Sequence, residues 1–176
     1  MRSSRSEFEE EWDQPRESKE LSEDILNEPI RRLAPRKPVL LHPHSTVGDA
    51  VRGMNERRTG CVLILDGDSL VGIFSERDVL TRIVGRGYNL DQLRLADFMT
   101  PSPETLALED PIAFALNRMS VGGYRHVPLL DESGKVTHIV SVRDVVRFLV
   151  EHFRKGVMNL PPSPSVPPSA IPHGIG

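Results

Sequence analysis

The sequence predicts an α/β fold of two tandem β-α-β-β-α units related by a pseudo-two-fold axis. Three observations carry this: an internal repeat, a helix-period apolar stripe in each copy, and a continuous apolar run in each copy. The repeat comes first because a fixed period constrains every later assignment. A shift of 65 residues brings Pro38 onto Pro103, Ala50 onto Ala115, Met54 onto Met119, Val62 onto Val127 and Asp66 onto Asp131. The second copy then gains one residue, as Asp66-Gly67-Asp68-Ser69 becomes Asp131-Glu132-Ser133-Gly134-Lys135. Beyond it a shift of 66 pairs Ile73 with Ile139, Ser75 with Ser141, Arg77 with Arg143 and Asp78 with Asp144. An insertion confined to a turn is where a duplicated fold tolerates one.

Each copy opens with a short extended segment, Val39 to His42 or Glu104 to Leu108. A helix follows, with Val47, Ala50, Val51 and Met54 in the first copy and Ile112, Ala115, Leu116 and Met119 in the second forming one apolar stripe. The runs Val62 to Leu65 and Val127 to Leu130 are continuous in apolar character, the pattern of a strand buried on both faces. A turn leads to a second strand, Leu70 to Phe74 or Val136 to Val140. The second helix starts at Ser75 or Ser141, with Val79, Leu80 and Ile83, or Val145, Val146 and Leu149, expected on its inner face. A unit of about 60 residues buries too little core to stand alone, so the two are expected to pack together with a ligand cleft between them.

The flanks read differently. Residues 1–19 are acidic and poor in aliphatics, the composition of disorder. Residues 20–35 suggest a short amphipathic helix and linker, capped by Ser22 and interrupted at Pro29. Repeat one is then expected over 36–95 and repeat two over 96–155, followed by a Pro/Ser-rich flexible tail over 156–176 with six prolines. Apolar runs of four or five residues are too short to span a bilayer, and no secretory leader is legible at Met1 to Glu11. The lone Cys61 fits a reducing compartment, so a cytoplasmic protein is expected. The net charge of −3 argues against nucleic acid as partner; residues 1–28 carry ten acidic and four basic side chains, leaving about +3 on the rest.

The motifs offer binding rather than catalysis. There is no phosphate-loop spacing and no nucleophile–base arrangement, and Pro43 breaks His42-Pro43-His44 as a metal motif. Ser75-Glu76-Arg77-Asp78 and Ser141-Val142-Arg143-Asp144 admit two readings. Each is a helix capping box, or each offers a carboxylate for hydroxyl groups and a helix N-terminus for an anion. Arg77 and Arg143 add charge-assisted contacts in the second reading. Gly122-Gly123 ends a helix; Tyr124 and Arg125 either face the cleft or do not, and His126 either lines a pocket or fills the interface. Trp12 is a candidate partner anchor.

Taken in order, several stretches resemble the cystathionine-β-synthase (CBS) domain, which usually occurs as a tandem pair, the Bateman module. They are Thr46-Val47-Gly48-Asp49-Ala50, Cys61 to Asp66, Leu70 to Asp78, Phe98-Met99-Thr100-Pro101, Arg125 to Asp131 and Ile139 to Asp144. The resemblance implies a regulatory, non-enzymatic module that needs no cofactor and binds AMP, ADP, ATP or S-adenosylmethionine in its clefts. It implies Asp78 and Asp144 as ribose contacts with Ser75 and Ser141 beside them. Gly60, Cys61, Arg125 and His126, at the starts of the central strands, would complete the sites. It also implies a homodimer signalling to an effector protein, with a ligand-free scaffold as the alternative. Where the family carries glycine, copy one has Gly72 and copy two has His138, so the imidazole is expected to narrow one cleft and make the two unequal.

Overall fold

The computed structural model describes residues 23–152. The expectations for residues 1–19 and 156–176, Trp12 and the Ser22 cap lie outside the described residues. The chain enters through α1 (Glu23–Asn27), which ends before Pro29, and a 3-10 turn over Ile30–Leu33. The first unit contains β1 (Leu40–Leu41), α2 (Val47–Arg57), β2 (Cys61–Asp66), β3 (Ser69–Ser75) and α3 (Glu76–Asp78), which runs on as a π-helical turn over Val79–Ile83. Two 3-10 turns and β4 (Thr100–Pro101) follow. The second unit contains β5 (Leu106–Ala107), α4 (Ile112–Val121), β6 (His126–Leu130), β7 (Val136–Ser141) and α5 (Val142–His152). The predicted β-α-β-β-α order is observed twice.

In each unit the first strand pairs parallel to the second, and the second pairs antiparallel to the third. Along β2 the side chains alternate. Val62 and Ile64 join a core with Val47, Ala50, Met54, Phe74 and Leu95, beneath α2, while Cys61 and Leu63 face the other way and meet Ile139 of the second unit. That alternation is how a strand buried on both faces serves a helix layer and an inter-sheet layer at once. A third cluster, with Ile112, Ala115, Val127, Leu129, Val140, Val145 and Phe148, is the second unit's own core. Thr46 caps α2 reciprocally with Asp49, whose carboxylate accepts the Thr46 amide at 2.9 Å and is thereby held down at about 2. The inserted turn residue is absorbed by Asp131, which accepts the amides of Ser133 and Lys135, and Lys135 reaches Asp68 of the first unit's turn at 2.6 Å.

The duplication extends further than the sequence suggests. Pro29 bridges to Pro111, and 65 residues away Thr46 bridges to Arg94, the same pairing with the partners exchanged. Ile30 and Leu33, 0% and 1% exposed, sit in the second unit's core as Leu95 sits in the first's. Thr100–Pro101 does not open the second unit: it pairs with β3 and adds a fourth strand to the first sheet. Arg36 bridges to Ile139 at the corresponding edge of the other sheet. Over the described residues the path therefore runs from the second unit into the first and back.

Two residue expectations are corrected. Leu80 and Val146, expected inside, are 68% and 53% exposed. They are counterparts under the repeat, and each lies one position past a buried or half-buried valine, on the helix face turned from its sheet. The second helices also differ in length: the first unit has three α-helical residues and a five-residue π turn, the second an unbroken eleven.

Candidate functional site: two clefts between the units

Both Ser-x-Arg-Asp segments stand at the junction of the units, and each lines a cleft. The first cleft, about 360 Å³, contains Ser75, Arg77 and Asp78 and is closed by Thr100 to Glu104 and Gly122 to Tyr124. The second, about 430 Å³, contains Ser141, Arg143 and Asp144 and is closed by Arg36, Lys37 and Arg57 to Thr59. Each cleft is thus made by one unit's helix start and the other unit's strand entry, plus the exchanged edge segment. Gly60, Glu76, Arg125 and His126 line both clefts and form a shared wall.

The two acid groups are held alike. Asp78 Oδ2 accepts the Ser75 amide at 2.9 Å and its hydroxyl at 2.7 Å, while Oδ1 faces Arg82 Nε at 3.4 Å. Asp144 Oδ2 accepts the Ser141 amide and hydroxyl at 2.9 and 2.7 Å, and Oδ1 accepts Arg147 at 2.8 Å. The capping-box geometry is therefore realised at both, and both aspartates are buried, Asp144 to 3% exposure. Oδ2 of each aspartate has both lone pairs engaged by its serine, whereas Oδ1 keeps one, so a ligand hydroxyl can add at Oδ1 without breaking these bonds. The first helical amides are already engaged: Glu76 N donates to Gly60 O at 3.0 Å and Val142 N to Arg125 O at 3.1 Å. An anion here would be met chiefly by side chains, and only the eleven-residue α5 offers a developed helix dipole.

Cys61 lies apart from the clefts, 2% exposed between the sheets, where burial and then Glu76 push its thiol up to about 12. It is an inert apolar filler at neutral pH. His126 is held below the usual histidine range, chiefly by burial. Tyr124, 40% exposed, lines the first cleft with its ring against Gly122. His138 does not narrow either cleft; it pairs with Leu129 in the sheet and is absent from both linings. A side chain at its counterpart Gly72 would collide with Met99 Sδ, whereas under the repeat the counterpart of Met99 is the small Ala34. The expected inequality of the clefts has another origin.

Its origin is charge. The second cleft holds six cationic side chains, Arg36, Lys37, Arg57, Arg58, Arg125 and Arg143, against Glu76 and Asp144. The first holds Arg77, Arg82 and Arg125 against Glu76, Asp78 and Glu104, an even balance. The signal was in the sequence as Arg57-Arg58 against Gly122-Gly123, but nothing local tied those positions to the opposite unit's helix.

Residues 30–85 and 95–151 each match the CBS domain model. The chain belongs to the CBS domain family. A CBS domain-containing protein of Arabidopsis thaliana is 31% identical over 109 residues, covering 62% of this chain and 20% of that protein. A 17.7 kDa protein of Acidianus ambivalens is 28% identical over 123 residues, covering 69% of this chain and 73% of that one. The chain thus spans about a fifth of the Arabidopsis relative and nearly three quarters of the archaeal one. The solved structure of a CBS domain protein from Pyrobaculum aerophilum, complexed with AMP, matches with a TM-score of 0.62 at 26% identity, over 70% of this chain and 96% of that one. The matched segments start at the counterparts Ile30 and Leu95, so each CBS match includes the segment that the fold lends to the other unit.

Proposed function

We propose that this CBS pair is a regulatory module that binds an adenosine-containing ligand, AMP, ADP, ATP or S-adenosylmethionine, between its units. Occupancy passes to an effector protein. The observation that carries the reading is a pair of equivalent inter-unit clefts, each with a Ser-x-Arg-Asp helix start in its wall. Their volumes suit a nucleotide, within the ~300–1,000 Å³ of small-ligand sites, and the Pyrobaculum relative complexed with AMP supports the ligand class. In this reading Asp78 and Asp144 accept ribose hydroxyls, with Ser75 and Ser141 fixing the carboxylates and Arg77 and Arg143 meeting phosphate. The exposed apolar residues Leu80, Val84, Phe114 and Val146 support a homodimer packed through its helices. Signalling then requires that the ligand bind one arrangement of the pair better than another.

Calorimetry against the four ligands tests this, on the natural chain and on Asp78→Asn and Asp144→Asn, with thermal melts to establish that each variant is folded. Saturable binding is expected, weakened about tenfold or more at the altered cleft, the loss for one hydrogen bond to a charged group. Silence across the whole panel refutes the reading. A second reading, a ligand-free dimerisation scaffold, is favoured by the engagement of both carboxylate oxygens of each aspartate within its own segment. It would leave assembly unchanged by every ligand and by both variants.

A further inference from the structure

We infer that the two clefts differ in the anions they accept, and that the Ser141/Asp144 cleft is a polyphosphate site. The nucleotide part of this inference rests on the adenosine-ligand reading. Four cations of the second cleft have uncharged counterparts in the first under the repeat: Arg36 against Pro101, Lys37 against Ser102, Arg57 against Gly122 and Arg58 against Gly123. None of these four forms an ion pair among the described residues, and neither do Arg125 and Arg143. In the first cleft three of the six charged groups are already engaged: Arg82 faces Asp78 at 3.4 Å, and Glu104 lies 2.7 Å from Arg118 Nε. The second cleft is therefore strongly positive, six cations against Glu76 and Asp144, and the first is balanced in charge.

Backbone conformation adds an independent observation. Arg58 ends α2 in the left-handed region at φ 49°, where its counterpart Gly123 sits at φ 68°. Glycine takes this conformation freely and arginine does not, so the first unit keeps a strained residue where the second has an unstrained one. What Arg58 brings to that position is a cation at the cleft. Strain retained at a binding wall is the pattern expected of a functional residue.

A triphosphate carries about two charges more than a monophosphate, and partly enclosed charges are screened less by salt than exposed ones. The second cleft thus selects ATP-like polyanions over AMP. The first, balanced in charge and with Tyr124 available to stack on a base, accepts a ligand with one phosphate or none.

The test is calorimetry on the full chain with AMP, ATP and inorganic tripolyphosphate at low and moderate salt. Two double variants are compared, Arg57→Ala with Arg58→Gly and Arg36→Ala with Lys37→Ala, alongside Tyr124→Ala. Arg58→Gly relieves strain rather than adding it, which keeps the fold available to the measurement. Each double variant is expected to weaken ATP and tripolyphosphate about tenfold or more and to flatten their salt dependence, leaving AMP nearly unchanged. Tyr124→Ala is expected to weaken AMP and leave tripolyphosphate alone. Equal affinity for AMP and ATP, untouched by either double variant, overturns the inference while the adenosine-ligand reading stands. Tripolyphosphate binding that responds to the variants, with no adenosine compound bound, refutes that reading and supports the anion cleft.

Discussion

His126 stands in the wall shared by both clefts, and its burial ties its proton to the folded state. Loss of hydration disfavours the imidazolium most. Glu76 and Asp144 pull the other way, and Arg125 and Arg143 add to the depression. The folded chain therefore holds His126 neutral at a pH where the unfolded chain binds a proton, below about 6.5. Stability is full above that value and falls as pH drops through it, because the unfolded state gains protons first. His138 has the same sign, from burial and the neighbouring Lys37. Urea midpoints measured between pH 7.5 and 5.5 should decline in the natural chain and decline less in His126→Gln. An equal slope in the variant would remove His126 as the cause. A polyanion in the second cleft should lessen the same decline, since it favours the protonated ring.

At the scale of elements, the third strand of each unit meets a different neighbour. Gly72 lies under Met99, whose Sδ, Cγ and Cβ occupy the space a side chain would need, while the repeat replaces that pair by His138 and Ala34. Gly72→Ala should destabilise by about 1–3 kcal/mol through overpacking. Met99→Ala should destabilise by itself through a cavity. Together they should cost less than their sum, because each removes the other's problem, and chemical denaturation of the four-member cycle measures the difference. Additivity would show that Met99 yields elsewhere. His138 also shows what the sequence hid: a bulky residue opposite a glycine reads as an obstruction until the residue answering to Met99 is known, and Ala34 lies 104 positions earlier in the chain. Strands β1 to β3 and β5 to β7, with α2, α4 and α5, were legible because their apolar patterns are local, whereas β4 was not. The equivalence of the segment Ile25 to Leu33 with Leu90 to Phe98 was not: the pairs Ile30/Leu95 and Leu33/Phe98 share only apolar character, and Pro29 against Arg94 disguises the rest. Both Ser-x-Arg-Asp segments were legible as motifs, whereas the cationic wall opposite one of them arises only when the units are brought together.

For the whole molecule, the placement of the edge segments means that the first unit is closed by the linker that follows it, whereas the second is closed by a segment from the other end of the described chain. Ile30 N donates to Asp110 O and Ile112 N to Glu28 O, clamping the N-terminal segment across the second unit, as Val47 N to Leu93 O and Leu95 N to Ser45 O clamp the linker across the first. Arg147 adds a bond to Leu33 O at 2.9 Å while it holds Asp144 at 2.8 Å, so the same guanidinium ties the N-terminal segment to the second cleft. Removing residues 1–35 should therefore damage the far unit rather than the adjacent one. The loss of buried Ile25, Ile30 and Leu33 amounts to roughly 5–9 kcal/mol at about 1.5–3 kcal/mol per aliphatic side chain, comparable to the stability of an ordinary domain. The milder Ile30→Ala should cost about 2–5 kcal/mol. Hydrogen exchange on that variant separates the two outcomes: faster exchange confined to Val127 to Leu130 and Val136 to Ser141 is expected, with Val62 to Asp66 protected. Equal acceleration of both sheets would mean that the units unfold as one, and preferential loss in the first sheet would contradict the crossed assembly. In the expected case the second cleft should lose its ligand before the first, because Leu33, Arg147 and Asp144 are one connected structure.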